Sequence, residues 1–196
     1  LKDALEREVL IGGTGPGSPS EGYPKLLNAG AGTKFRIIAG YPAAADVVVA
    51  IEKDEVDAAF TSFGSLSAYH PDWIAQKKIN MIVQGTVGRT SELPDVPAVG
   101  ELGRTPDDRQ MLQLYASTSQ IGRSFIAPPG LPPERIEMLR KAFDATMNDP
   151  EFRAEVAKAK VEFHPLPGAE LQKIIAATAE TPPNIIARMK GLLTAK

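Results

Sequence analysis

Residues 8–22, EVLIGGTGPGSPSEG, constrain the fold of this chain more than any other stretch. Val9, Leu10 and Ile11 form a short apolar run bounded by glycines, the pattern of a buried strand. Four glycines and three small hydroxylated residues then fill positions 12–20. Glycine admits positive φ and lets other groups approach the main chain closely. Ser20 is placed to cap a following helix, with Tyr23, Leu26 and Leu27 spaced along one helix face. Strand, glycine loop and helix in this order build an anion site in α/β proteins, because backbone N–H groups and the positive helix end converge there. The expectation is that main-chain amides from Gly13 to Ser18 hold a negatively charged ligand.

The rest of the first half repeats the alternation. Lys34–Ala39 reads as a second strand and Gly40-Tyr41-Pro42 as the turn out of it. Ala43–Lys53 reads as a helix, with Asp46 in its first turn favoured by the helix dipole. Val56–Thr61 reads as a third strand, ending in the polar loop Thr61-Ser62-Phe63-Gly64-Ser65. Ser65 is the expected cap of a helix that Pro71 interrupts. Ile79–Gln84 reads as a fourth strand. This is a β-α-β-α-β-α-β pattern with short connections. It implies a mainly parallel sheet flanked by helices, with ligands beyond the C-terminal strand ends. The loops 13–19 and 61–65 both lie at such ends.

Residues 85–100 form a proline-rich excursion, followed by a helix over Pro106–Ala116. Residues 121–133 hold a short apolar strand and a rigid turn. Helices are expected at Glu134–Met147, after a stop and restart at Asn148-Asp149-Pro150, at Gly168–Ala179 and at Pro183–Leu193. Val161–His164 reads as an edge strand.

Composition narrows the chemistry. A net charge of -2 gives no reason to expect nucleic acid or an anionic membrane as partner. No apolar run approaches the ~18 residues of a membrane span, and no signal peptide is visible. Without cysteine there is no disulfide, thiol catalysis or zinc–thiolate site, and two histidines argue against a histidine-rich metal centre. No cofactor, metal site or catalytic residue is expected. The glycine loop superficially resembles a dinucleotide-binding turn. However, Ala39-Gly40-Tyr41-Pro42 stands where that design wants an acidic residue or arginine. No tyrosine is followed four residues later by lysine, no lysine sits in the loop, and no nucleophile elbow stands out. Arg89, Trp73, His164 and the charge run Asp54, Glu55 and Asp57 are read as solvated or structural groups.

An ordered series of motifs resembles the substrate-binding family of the tripartite tricarboxylate transporters, the Bug proteins. The series is Gly13-Thr14-Gly15-Pro16-Gly17-Ser18, Gly40-Tyr41-Pro42, and Asp54-Glu55-Val56-Asp57-Ala58. It continues with Arg89, Leu93-Pro94-Asp95-Val96-Pro97, Glu101-Leu102, Ala127-Pro128-Pro129-Gly130-Leu131-Pro132 and Asn148-Asp149-Pro150-Glu151-Phe152. The resemblance implies a periplasmic receptor of the two-lobed type II binding-protein fold, which captures a small carboxylate and delivers it to membrane permease subunits. It implies ligand contacts from Thr14, Gly15, Gly17 and Ser18, with Tyr41 and Ser62 on the wall. It also implies that residues 1–120 form the second lobe and that 121–196 supply a crossover strand and helices to a first lobe lying before Leu1. The alternatives are an NAD(P)-dependent oxidoreductase, or a non-binding remnant used as an interaction module.

Overall fold

A computed structural model describes residues 1–122, 124–159 and 163–195, the Tyr69 side chain apart. After a short helix α1 (Lys2–Glu6), strand β1 (Val9–Gly13) forms the centre of a parallel three-stranded sheet of order β2-β1-β3. Its neighbours are β2 (Phe35–Ala39), in register from Val9↔Phe35 to Gly13↔Ala39, and β3 (Ala58–Ala59), in register at Ile11↔Ala58 and Gly12↔Ala59. Parallel neighbours require crossovers. Helix α2 (Pro19–Gly30) links β1 to β2, and α3 (Ala44–Glu52) links β2 to β3.

Side chains of a strand alternate between the two faces of the sheet. Val9 and Ile11 face the main core with Leu26, Leu27, Val99, Met111 and Leu112. Leu10 faces the other way, onto Val47, Ala50 and Val56. The glycines that follow keep this alternation. A Cβ on Gly12 would lie 2.3 Å from Val47 Cγ1 on α3, and one on Gly13 would lie 2.9 Å from Glu21 Cγ on α2. The pair therefore lets helices close on both faces at the same strand end.

Helix α4 (Phe63–Tyr69) stops at His70, and α5 (Pro71–Ala75) restarts with Pro71 at its first position, where a missing N–H costs nothing. Trp73 is buried against Val48 and Leu66 as a core residue. Gln84 then organises the excursion. Its buried amide donates to Leu93 O at 2.9 Å and Val96 O at 2.6 Å, and its oxygen accepts from Thr90 N at 2.9 Å. Arg89 crosses the same loop to Glu101 at 2.8 Å and to Pro94 O at 3.0 Å. The excursion ends in a 3-10 turn at Val99–Leu102 and leads into α6 (Pro106–Ile121).

Helices α7 (Pro133–Asn148), α8 (Pro150–Lys158) and α9 (Gly168–Ala179) contribute no buried residue. Asp149 caps α8 by accepting from Phe152 N at 2.9 Å. Helix α10 (Pro183–Thr194) returns to the sheet unit: Ile185 is buried in the main core, and Lys25 Nζ reaches Ala195 O at 2.7 Å. Arg188 meets the buried Asp108 at 2.6 Å. Helix α10 thus packs on the same unit as the sheet.

Several expectations are corrected. The third strand shrinks to two residues because the Asp57 carboxylate takes the Leu10 N–H at 2.8 Å, standing in for a ladder carbonyl. Ile79–Gln84 is not a regular strand; only Gln84 pairs, in a single parallel bridge with Ala98. No strand forms among residues 124–133, where Phe125 and Ile126 are 88% and 92% exposed and have no sheet to join. The expected edge strand at 161–164 lies partly outside the described residues, and 163–164 are irregular. Ser62, not Ser65, caps α4, accepting from Ser65 N at 3.0 Å. Ser18, not Ser20, is the N-cap residue of α2.

Candidate functional site

The site lies at the C-terminal ends of β1, β2 and β3, where three loops emerge side by side. Between β1 and α2, Gly15 (φ 119°) and Gly17 (φ 83°) reverse the chain. Both angles lie in the left-handed region that side chains avoid. Tyr41 N donates to Gly13 O at 3.2 Å, which fixes the β2 turn against the end of β1. Ser62 stands at the end of the β3 segment, hydrogen-bonded to Ser65 through its hydroxyl at 2.8 Å. Fold topology thus brings Thr14, Gly15, Gly17, Ser18, Tyr41 and Ser62 to one edge of the sheet.

The amides do not stand free as the sequence suggests. Thr14 N donates to Ser20 Oγ at 3.0 Å, Gly15 N to Glu21 Oε1 at 3.1 Å, and Ser18 N to Gly15 O at 3.1 Å. Pro16 has no N–H. Among the described residues Gly17 N–H has no partner, and Gly17 is exposed. Ser20, nearly buried, is a hub: its Oγ lies 2.9 Å from both Thr14 Oγ1 and Ser18 Oγ. The loop therefore presents hydroxyl groups and one main-chain donor over a closed network of internal hydrogen bonds.

Two residues of this site were missed from sequence, Ser20 in its role and Glu21 altogether. The signal was present in Ser18-Pro19-Ser20-Glu21, the spacing at which an acidic residue folds back over a helix start. Here the carboxylate overshoots Ser18 N and reaches Gly15 N instead. Glu21 is only 7% exposed.

An aromatic stack supports the loops from below. Tyr23 lies 4.2 Å from Phe60 ring to ring and 4.8 Å from Tyr115, and its hydroxyl donates to Gly85 O at 2.7 Å. Burial, with Tyr115 as a second cause, pushes the Tyr23 phenol well above its ordinary range, so it stays a donor. Gly22 is where α2 passes Tyr115; a Cβ there would meet the Tyr115 hydroxyl. Two concave regions lie elsewhere. One, of about 270 Å³, is lined by Phe143, Met147, Arg153 and Pro165 among others; the second, of about 370 Å³, is lined by Ile51, Trp73 and Ile79 among others.

Arg89 is a structural group, paired with Glu101 within the chain. His164 pairs with Glu92 at 3.4 Å. Among the described residues no group of three or more His, Asp or Glu side chains is placed to hold a metal ion. No helix among them is long and apolar enough to cross a membrane.

The structure is thus a parallel sheet with helices on both faces and its loops gathered at the C-terminal strand ends. The structure superposes on that of a TctC solute-binding protein from Polaromonas, without ligand, at a TM-score of 0.64 and 18% identity, covering 98% of this chain and 59% of that one. An R. palustris protein determined with adipate matches at a TM-score of 0.53 and 14% identity, over 98% of this chain and 58% of that one. At such identities the likeness establishes the fold. The chain thus spans less than two thirds of the solved structures it resembles. Among curated proteins none matches the sequence. The sequence does match the tripartite tricarboxylate transporter family receptor, TctC, over residues 9–191. The chain belongs to that family.

Proposed function

We propose that this chain is the second lobe, with crossover helices, of an extracytoplasmic receptor that captures a small organic carboxylate for a tripartite tricarboxylate transporter. The observation that carries this reading is the family match, which runs through the glycine loop and on to α10. The adipate held by the R. palustris neighbour supports a carboxylate as solute class. The solute lies over the strand ends, against Thr14, Gly15, Gly17, Ser18, Tyr41 and Ser62. Hydroxyls and the single main-chain donor of Gly17 give orientation there without a reacting group, so the reading is of a binding protein in the periplasm and not of an enzyme. The first lobe faces this edge and is reached through residues 121–180, whose helices bury nothing in the present unit. Closure of two lobes on a solute excludes the water that otherwise competes for these donors.

Titration calorimetry of the full-length protein with citrate, succinate, glutamate, adipate and benzoate tests the proposal. Saturable binding by one class, lost on combining Ser18→Ala with Gly15→Val, is expected. Binding that survives both substitutions removes the loop from the site. Mixing with NAD(P)H is expected to leave its fluorescence unchanged, and a change would revive the oxidoreductase alternative.

A further inference from the structure

Glu21 is a buried carboxylate. Its Oε1 accepts the Gly15 N–H at 3.1 Å, and among the described residues no ion pair involves it. Its Oε2 makes no hydrogen bond, yet no fully buried side-chain oxygen among the described residues lacks a partner. Oε2 therefore reaches the surface, on a side chain whose Cγ lies beside Gly13 at the end of β1.

The surrounding charge does not offset it. Residues 13–20, 40–43 and 60–65, the segments that leave the strand ends, contain no lysine or arginine. Lys25, one helical turn on, is committed to the carbonyls of Leu193 and Ala195, and Arg89 to Glu101 and Pro94. Asp46, at the start of α3, adds a second negative charge on an exposed position and accepts from Ala43 N at 2.9 Å.

We propose that Glu21 is a specificity-determining residue that makes this loop accept the ammonium end of a solute and reject a second carboxylate. The proposal rests on the receptor reading above and deepens it. Glu21 already occupies the Gly15 N–H that an incoming carboxylate would need, so the intruder would meet like charge and one donor fewer. An ammonium group finds the reverse: Glu21 Oε2 and the hydroxyl oxygens of Thr14 and Ser18 are acceptors. The solute class is then an amino carboxylate, its carboxylate held by the facing lobe and its amine by this one.

The test compares two six-carbon probes on the full-length protein by titration calorimetry. Adipate has a carboxylate at both ends, and ε-aminocaproate has an ammonium at one. The wild type is expected to bind ε-aminocaproate at least about tenfold more tightly than adipate, a difference of about 1.4 kcal/mol. Glu21→Gln keeps an acceptor for Gly15 N–H and removes the charge, and it is expected to abolish or invert the preference. Equal binding of the two probes by the wild type, or a preference for adipate, overturns the inference without touching the receptor reading. So does a ratio unchanged in a folded Glu21→Gln protein. Binding of neither probe, nor of any acid in the panel above, overturns the receptor reading and the inference together. The wild-type ratio decides the matter even where the variant fails to fold.

Discussion

Replacing Gly12 with alanine would set a methyl group 2.3 Å from Val47 Cγ1 and 2.9 Å from Val47 Cγ2. Non-bonded carbons sit best at roughly 3.5–4.0 Å, so the closer approach is too short by about 1.5 Å. Neither side yields readily. Gly12 lies in the central strand, with β2 paired on one side and β3 on the other. Val47 is 1% exposed, and a β-branched residue in a helix has essentially one rotamer. Relief must come from moving α3 off the sheet. Overpacking of this kind costs about 1–3 kcal/mol, which for a chain of this size lowers Tm by about 3–10 °C. The assay is a double-mutant cycle by urea and thermal unfolding. Val47→Ala alone removes two buried methyl groups and costs about 2 kcal/mol. Combined with Gly12→Ala it also removes both short contacts, so the double variant should be more stable than the sum of the singles implies, by about 1 kcal/mol or more. Additive effects, or a Gly12→Ala protein within about 0.5 kcal/mol of wild type, would refute the view that this glycine exists to admit α3.

Three further outcomes are expected. Gln84→Ala leaves the carbonyls of Leu93 and Val96 and the amide of Thr90 without their buried partner; a loss of about 2 kcal/mol or more and faster proteolysis within residues 85–97 should follow. The Arg89 guanidinium and the Ala98 amide hold the Glu101 carboxyl down at about 2, against an ordinary value of 4.5. A depressed carboxyl contributes stability above its unfolded pKa and loses it as pH falls through the folded one. Stability should therefore decline as pH falls from 4.5 toward about 2, and acid unfolding of Glu101→Gln should show less of that decline. Burial pushes the Asp108 carboxyl up, but hydrogen bonds from Arg188 and Thr105 outweigh it and hold it below its usual range. By the same sign its contribution is lost only in acid, below about pH 4. Asp108→Asn should lower Tm at neutral pH, free α10 for faster hydrogen exchange, and narrow its gap to wild type in acid.

What the sequence by itself determined is much of what acts within a few residues, though not which serine caps α2 or α4. The apolar run before the glycine loop, the restart at Pro150 after the Asp149 cap, and the helix over Gly168–Ala179 stand where their residues put them, because φ limits, caps and periodicity are local. The family motifs were legible for the same reason: they are short and ordered along the chain. Only the tertiary structure decided who meets whom. Arg89 finds Glu101 rather than a solute, Asp57 reaches across to Leu10 and truncates β3, and Ile79–Val83 obtains no strand to pair with. Glu21 turns back to Gly15 and takes an amide that the glycine spacing had reserved for a ligand. All but the last of these outcomes depend on which elements pack together, and a buried polar group accepts whatever partner the folded chain brings within hydrogen-bonding reach.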